Sequence, residues 1–314
     1  MEHAPWAFRV RFVIIPSMST LEAGKELQIV RKPFESEVHD VMGGAARLEI
    51  NVHDHGLVAL CDVMPRLAPA GKTADFAIVQ AARVSYGEGT KQVNEDRGLI
   101  RYLARHRHTT PFEMVEFKFH QVMPIFIARQ WIRHRTANVN EYSARYSVVK
   151  DRYYHPNPEN IRQQSTSNRQ GGDAPVDEMT AREFGEYLDK LEADYAQYEK
   201  FMAKGIARET ARIVLPLNVY TEWYWKIDLH NLFHFLSLRM DAHAQQEIRD
   251  YATAMFELIR PIVPIAAEAF LDYNFGSMHL TRLEIDAIRS GEPLATQNKR
   301  ETAEWEEKKK TLGL

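Results

Sequence analysis

The sequence predicts an α+β fold, and three observations carry that prediction. Residues 114–121 (MVEFKFHQ) alternate: Val115, Phe117 and Phe119 face one side and Glu116, Lys118 and His120 the other, as in a half-buried strand. Residues 179–204 place Phe184, Leu188, Leu191, Tyr195, Tyr198 and Met202 at helical spacing, with Gly205 suited to the stop. Strand-like and helix-like segments follow one another without the regular alternation of a doubly wound parallel sheet. With 314 residues, 45% of them hydrophobic, the chain is long enough to bury a sizeable core.

In chain order, residues 1–55 read as an N-terminal extension, with short β-like runs at 9–15 and 27–31. The main domain is expected over 56–287. Within it, 57–64 (LVALCDVM) predicts a strand, 74–83 a helix, and 94–106 an amphipathic helix carrying Leu99, Ile100 and Leu103. Pro124 suits the first turn of a helix over 125–135, where its missing N–H costs nothing. Residues 151–177 hold His-Pro-Asn-Pro, Gln-Gln-Ser-Thr-Ser-Asn and Gly-Gly and read as a long polar loop. A short helix is expected over 207–214, ended by Pro216. The aromatic and β-branched run 219–227 predicts a strand, and Asp228 can cap a helix over 229–258. The charged tail 288–314 reads as a solvated helix or a frayed end. No internal repeat is evident.

Composition removes several classes of function. Lys+Arg 40 against Asp+Glu 43 leaves a net charge of −3, which argues against a generally basic nucleic-acid binder. The single cysteine, Cys61, excludes an intrachain disulfide framework, a multi-cysteine zinc site and a CxxC pair, and leaves open a thiol nucleophile. Glu2, Arg9 and Arg11 interrupt the N-terminus, the apolar run 12–16 is too short for a signal peptide, and no stretch approaches the roughly 18 apolar residues of a membrane span. A soluble, cytoplasmic protein is expected.

Chemistry concentrates in residues 129–152. Arg129, Arg133, Arg135, Arg145, Lys150 and Arg152 stand against Glu141 and Asp151, a local excess of +4 in a chain of −3. Arginine forks match phosphate oxygens in bidentate geometry, and Asn138, Asn140, Tyr142, Ser143 and Ser147 add neutral hydrogen-bonding groups. The pattern suggests an anion site; the competing reading is a solvated basic face. A second signal is 228–245 (DLHNLFHFLSLRMDAHAQ). His230 and His234 lie one helical turn apart and share a face. Metal binding by this pair lacks an adjacent glutamate and an obvious third ligand. Arg239 falls well round the helix from that face; if both faces are functional, the helix serves two sites or one site built from several chains, which would fit a symmetric homo-oligomer.

Arg133-His134-Arg135, then seven residues, then Ser143-Ala144-Arg145 resembles the signature of the flavin-dependent thymidylate synthases. The segments 108–113 (HTTPFE), 128–131 (ARQW), 212–216 (RIVLP), Leu238-Arg239 and 243–245 (HAQ) resemble further family segments in the expected order, covering roughly 56–275. The resemblance implies a mostly antiparallel sheet packed with long helices, and a homotetramer with active sites formed between subunits. It implies FAD as hydride carrier, NADPH as reductant and 5,10-methylenetetrahydrofolate as carbon donor for converting dUMP to dTMP. Arg133, His134 and Arg135 match FAD-contacting positions, as do Thr110 and Glu141. Gln130, Arg133, Glu141, Ser143, Ala144, Arg145 and Arg212 match the dUMP pocket. Arg239 matches the residue that contacts and activates the uracil, where a planar cation would stabilise negative charge on the ring. Asp228, His230 and His234 occupy plausible flavin-facing positions where family members often carry Asn, Arg and Asn; Asp228 serves equally well as a helix cap.

Two other readings stay open from the residues alone. One is a nucleic-acid-binding module using the 129–152 patch with Trp131, Tyr142 and Tyr146 as stacking platforms. The other is a metal-dependent hydrolase using His230, His234 and His243. The family reading expects no nucleic acid, membrane or bound metal. The other family of thymidylate synthases needs a thiol that attacks the uracil ring; Cys61 is remote in sequence from every anion-binding segment and reads as a small buried apolar residue.

Overall fold

The alternating segment 114–121 seeds the middle of the sheet. The computed structural model describes residues 32–33, 37–84, 96–165 and 171–314; the runs at 9–15 and 27–31 lie outside the described residues. The strands are β1 (Val38–Asp40), β2 (Leu48–Val52), β3 (Gly56–Met64), β4 (Leu67–Pro69), β5 (Glu116–Pro124), β6 (Asn138–Glu141), β7 (Arg162–Gln164), β8 (Gly172–Pro175) and β9 (Tyr220–Asp228). The helices are α1 (Asp75–Val84), α2 (Asp96–Arg105), α3 (Ile125–Trp131), α4 (Glu178–Glu192), α5 (Asp194–Ala203), α6 (Arg208–Ala211), α7 (Leu229–Arg239), α8 (Gln246–Ile259), α9 (Pro264–Phe270), α10 (Arg282–Ser290) and α11 (Lys299–Leu312).

Five strands form one sheet in the order β2-β3-β5-β9-β6, and every pairing is antiparallel. This is the α+β arrangement expected. Phe117 and Phe119 of β5 point into the core and are fully buried. On the opposite face Glu116 pairs with Lys226 of β9 at 2.9 Å, and His120 stacks on Tyr224. That is the division between packed and solvated faces that alternation encodes. Helices α1, α2, α3, α7, α8 and α9 contribute to the core, whose centre is Trp131, Trp225, Phe235 and Tyr251. No described helix is long and apolar enough to cross a membrane.

Several expectations need correction. The sheet begins upstream of residue 56, because β2 pairs with β3 in the register Leu48↔Leu60. The helix expected over 125–135 ends at Trp131, and Ile132, Arg133 and Arg135 beyond it are exposed while His134 stays half-buried. Residues 179–204 form two helices that break at Ala193; Leu188 and Tyr198 are buried, while Phe184 stays 45% exposed. The expected loop 151–177 contains the hairpin β7-β8 and buries Tyr153 and Tyr154.

The helix expected over 229–258 is two, α7 and α8. Between them the Asp241 side chain accepts from the backbone N–H of His243 at 2.8 Å, a local turn that competes with continued helix. The charged tail is anchored, not frayed. Trp305 of α11 is buried, and Lys308 pairs with Glu284 of α10 at 2.8 Å.

Candidate active site

Two elements bring the sequence-predicted residues together. Helix α3 is short and apolar on its inner face, and it delivers Gln130 and then the Arg133-His134-Arg135 turn to the surface beside α7. Helix α7 starts where the cap fixes it. Asp228 Oδ1 accepts from the backbone N–H of Asn231 at 3.0 Å, and Oδ2 accepts from Asn231 Nδ2 at 2.7 Å. Both carboxylate oxygens are therefore engaged in the cap.

His134 is the joint between the two faces of α7. Its Nε2 accepts from Arg239 Nε at 3.0 Å. Its ring lies 6.1 Å from that of His234 and packs edge-on against Phe235 at 4.9 Å. Burial, reinforced by the neighbouring Arg239 and His234, pushes the His134 pKa down to about 4. At neutral pH the imidazole is uncharged and can act as an acceptor. Burial also lowers the Arg239 pKa from its ordinary value. Arg239 meets no carboxylate among the described residues, so none of them compensates its charge.

The His230/His234 face opens on a cavity of about 510 Å³. Its walls mix Phe112, Phe233 and Phe270 with Arg105, Arg107, His108, Thr109 and Ser237. Thr110 is exposed and opens the 3-10 segment Thr110–Met114, immediately after the lining residue Thr109. Apolar walls carrying a few convergent polar groups fit a large aromatic ligand with polar substituents.

The remaining residues form a second group. Glu141 sits on the exposed edge strand β6, and its Oε1 accepts from Thr221 Oγ1 at 2.7 Å. Ser143 Oγ accepts from the backbone N–H of Arg145 at 3.3 Å. Ala144 packs on the satellite core formed by Val149, Tyr153, Tyr198, Ala211 and Val219. Arg145 pairs with Glu209 of α6 at 3.2 Å, and Lys150 pairs with Glu222 at 2.9 Å. Arg212 is exposed at the start of the 3-10 segment Arg212–Val214. Arg129, Arg133, Arg135, Arg152 and Arg212 have no ion pair among the described residues. Gln130 Nε2 donates to Gln245 Oε1. No hydrogen bond or ion pair among the described residues joins Arg145 or Arg212 to Arg239.

Three supporting residues were missed in the sequence: Gln245, Thr221 and Glu209. Gln245 lies in the HAQ segment, where the resemblance pointed without assigning a role. Glu209 and Thr221 lie 64 and 80 residues from their partners, too far for local spacing to reveal them. No group of three or more His, Cys, Asp or Glu side chains among the described residues could hold a metal ion, so His230, His234 and His243 are not gathered into one. Cys61 is the extra residue of a bulge in β3 between Leu60 and Asp62. It is partly buried, its Sγ lies 3.8 Å from the carbonyl of Ala59, and burial raises its thiol pKa.

Residues 66–265 match the family model described as thymidylate synthase complementing protein. A flavin-dependent thymidylate synthase of Dictyostelium discoideum is 69% identical over 278 residues, covering 88% of this chain and 92% of that protein. One from Wolbachia pipientis is 53% identical over 245 residues, covering 77% and 82%. Among solved structures, the UMP/dUMP methylase PolB of Streptomyces cacaoi bound to 5-Br dUMP is 32% identical. It superposes with a TM-score of 0.61 over 72% of this chain and 99% of its own. With a family model spanning more than half of its length and relatives this similar, the chain belongs to the flavin-dependent thymidylate synthases, the thymidylate synthase complementing family.

Proposed function

We propose that this protein converts dUMP to dTMP, with 5,10-methylenetetrahydrofolate as carbon donor, FAD as hydride carrier and NADPH as reductant, and without a cysteine nucleophile. The observation that carries the reading is Arg239: half-buried, free of any carboxylate among the described residues, and held by a neutral imidazole. A cation so placed keeps its full charge for a ligand that develops negative charge. That the related methylase PolB was solved with 5-Br dUMP supports dUMP as the ligand.

The residues fit both ligands. The cavity beside His230 and His234 has apolar walls for a flavin ring system and polar groups for its edge. Thr110, Arg133, His134, Arg135 and Glu141 would complete that contact, while Asp228 serves it indirectly by fixing the start of α7. When bound, FAD supplies the redox chemistry that side chains lack. Arg145, Arg212 and Arg133 would neutralise the 5′-phosphate of dUMP, with Gln130, Glu141, Ser143 and Ala144 placing the nucleoside. The Arg239 fork at the uracil imide would stabilise negative charge on its oxygen and so raise electron density at C5. The exposed arginines that have no ion pair among the described residues support active sites shared between subunits of a homotetramer. The thiol of Cys61, its pKa raised within a bulge, is a poor nucleophile.

The test is direct. Purified protein, or protein reconstituted with FAD, is expected to show the visible absorbance of oxidised flavin and to form dTMP only when dUMP, methylenetetrahydrofolate and NADPH are all present. Failure to bind flavin on reconstitution, or dTMP formation without reductant, overturns the reading.

A further inference from the structure

We propose that His134 is a positioning residue for Arg239: it holds the guanidinium by its Nε–H so that only the terminal fork faces the substrate. The inference rests on the reading of Arg239 as the group that polarises the uracil. The geometry is specific. Nε of Arg239 donates to Nε2 of His134 at 3.0 Å, and no other hydrogen-bond partner of the guanidinium is present among the described residues. An arginine has one Nε–H and two terminal NH2 groups. With Nε engaged, the pair of terminal nitrogens is left for the ligand, and rotation of the guanidinium plane is restrained from the protein side.

The imidazole is suited to this in two respects. It is neutral, because burial and the two adjacent basic side chains hold it so down to about pH 4, and it therefore leaves the arginine's charge undiminished. A carboxylate in its place would hold the arginine as firmly and cancel the charge that the uracil needs. Its ring is itself fixed by Phe235, edge-on at 4.9 Å, and Phe235 is stacked on Trp131 at 4.7 Å in the fully buried core. The core thus fixes the aromatic pair, the pair fixes the imidazole, and the imidazole fixes the cation.

The experiment uses the full-length holoenzyme. His134→Ala is expected to lower kcat for dTMP formation roughly 10- to 100-fold, the range set by loss of a charge-assisted hydrogen bond. The KM for dUMP should change less than kcat. His134→Gln keeps a neutral acceptor and is expected to restore kcat to within about 3-fold of wild type. It also serves if the alanine variant loses flavin or fails to fold. In an Arg239→Lys background, which removes the fork and its Nε together, His134→Ala should cost less than about 2-fold further. If the two substitutions multiply at full strength, or if His134→Gln retains flavin yet is as impaired as His134→Ala, the positioning role is refuted while Arg239 keeps its own. If Arg239→Lys forms dTMP at the wild-type rate, the reading of Arg239 fails and the positioning role fails with it.

Discussion

Trp131 links the core to the site, and replacing it tests the physical account of both. The indole is fully buried and sits among Trp225 at 5.5 Å, Trp223 at 5.9 Å and Phe235 at 4.7 Å. Its Nε1–H is buried and meets no acceptor among the described residues. Two substitutions separate these contributions. Trp131→Ala removes the ring and leaves a cavity, at a cost of about 3–5 kcal/mol. Against a total stability of about 5–15 kcal/mol, that is a large fraction. Trp131→Phe keeps one ring and discards the unpartnered N–H. Loss of the second ring costs about 1–2 kcal/mol. Relief of a buried donor without an acceptor returns about 1–3 kcal/mol. The net change for Trp131→Phe is therefore expected to lie between about 1 kcal/mol of destabilisation and about 2 kcal/mol of stabilisation. Urea unfolding of both variants at fixed protein and flavin concentration measures it, and flavin retention after gel filtration reads the site. Trp131→Ala should loosen Phe235 and the His134 ring above it and release flavin; Trp131→Phe should not. A loss above about 3 kcal/mol for Trp131→Phe would refute the assignment of an unpartnered indole N–H.

Three further outcomes follow from the same geometry. The His134 pKa is lowered from 6.5 to about 4, so the neutral form is favoured by folding; the associated stability is complete above about pH 6.5 and is lost as pH falls toward 4. The full shift corresponds to about 3 kcal/mol, reduced to about 1–2 by the half-exposed position. Urea unfolding at pH 7 and 4.5 should show that loss in wild type and a flatter dependence in His134→Gln. Asp228→Ala removes the α7 cap and is expected to cost about 0.5–2 kcal/mol by the same assay; a neutral result would mean the cap geometry is idle. Cys61→Ala should keep dTMP formation within about 2-fold of wild type, and loss of turnover in a folded, flavin-bound variant would make the thiol a participant.

Periodic segments with one buried face were legible. β3 and β9 run within one residue of the expected strands, and α1 within one residue of its expected helix, because each carries a burial pattern that local sequence expresses. The cap at Asp228 was legible for the same reason, since its partner is three residues away. The breaks were not. Met240, Ala242 and Ala244 are residues a helix accepts readily, so composition shows no stop past the end of α7, and the Asp241 side chain interrupts the helix there by capturing the backbone N–H of His243. β6 and β7 expose every residue, so nothing in them alternates between a wet and a dry face. At the site, residue types and their grouping were visible as an excess of arginine. Their supports come from other elements: Thr221 is placed by the sheet register, Gln245 by the break before α8, and Glu209 by α6.

The arginines themselves divide by their partners. Arg66 pairs with Asp40, Arg97 with Glu268, and Arg101 with Glu268 and Asp272; these cations stitch elements together. Arg129, Arg133, Arg135, Arg152 and Arg212 have no carboxylate among the described residues. Arg145 and Arg239 differ from both groups: one holds an exposed glutamate, the other a neutral imidazole. A merely solvated basic face would be expected to borrow carboxylates from a chain that holds 43 of them. Leaving several arginines unpaired within a short stretch raises self-repulsion, and a bound dianion relieves it. The two modes of holding fit the two ligand groups proposed above: a phosphate can displace a weak exposed pair such as Arg145–Glu209, whereas a uracil, which carries no full charge before reaction, needs a cation whose charge no carboxylate has already neutralised.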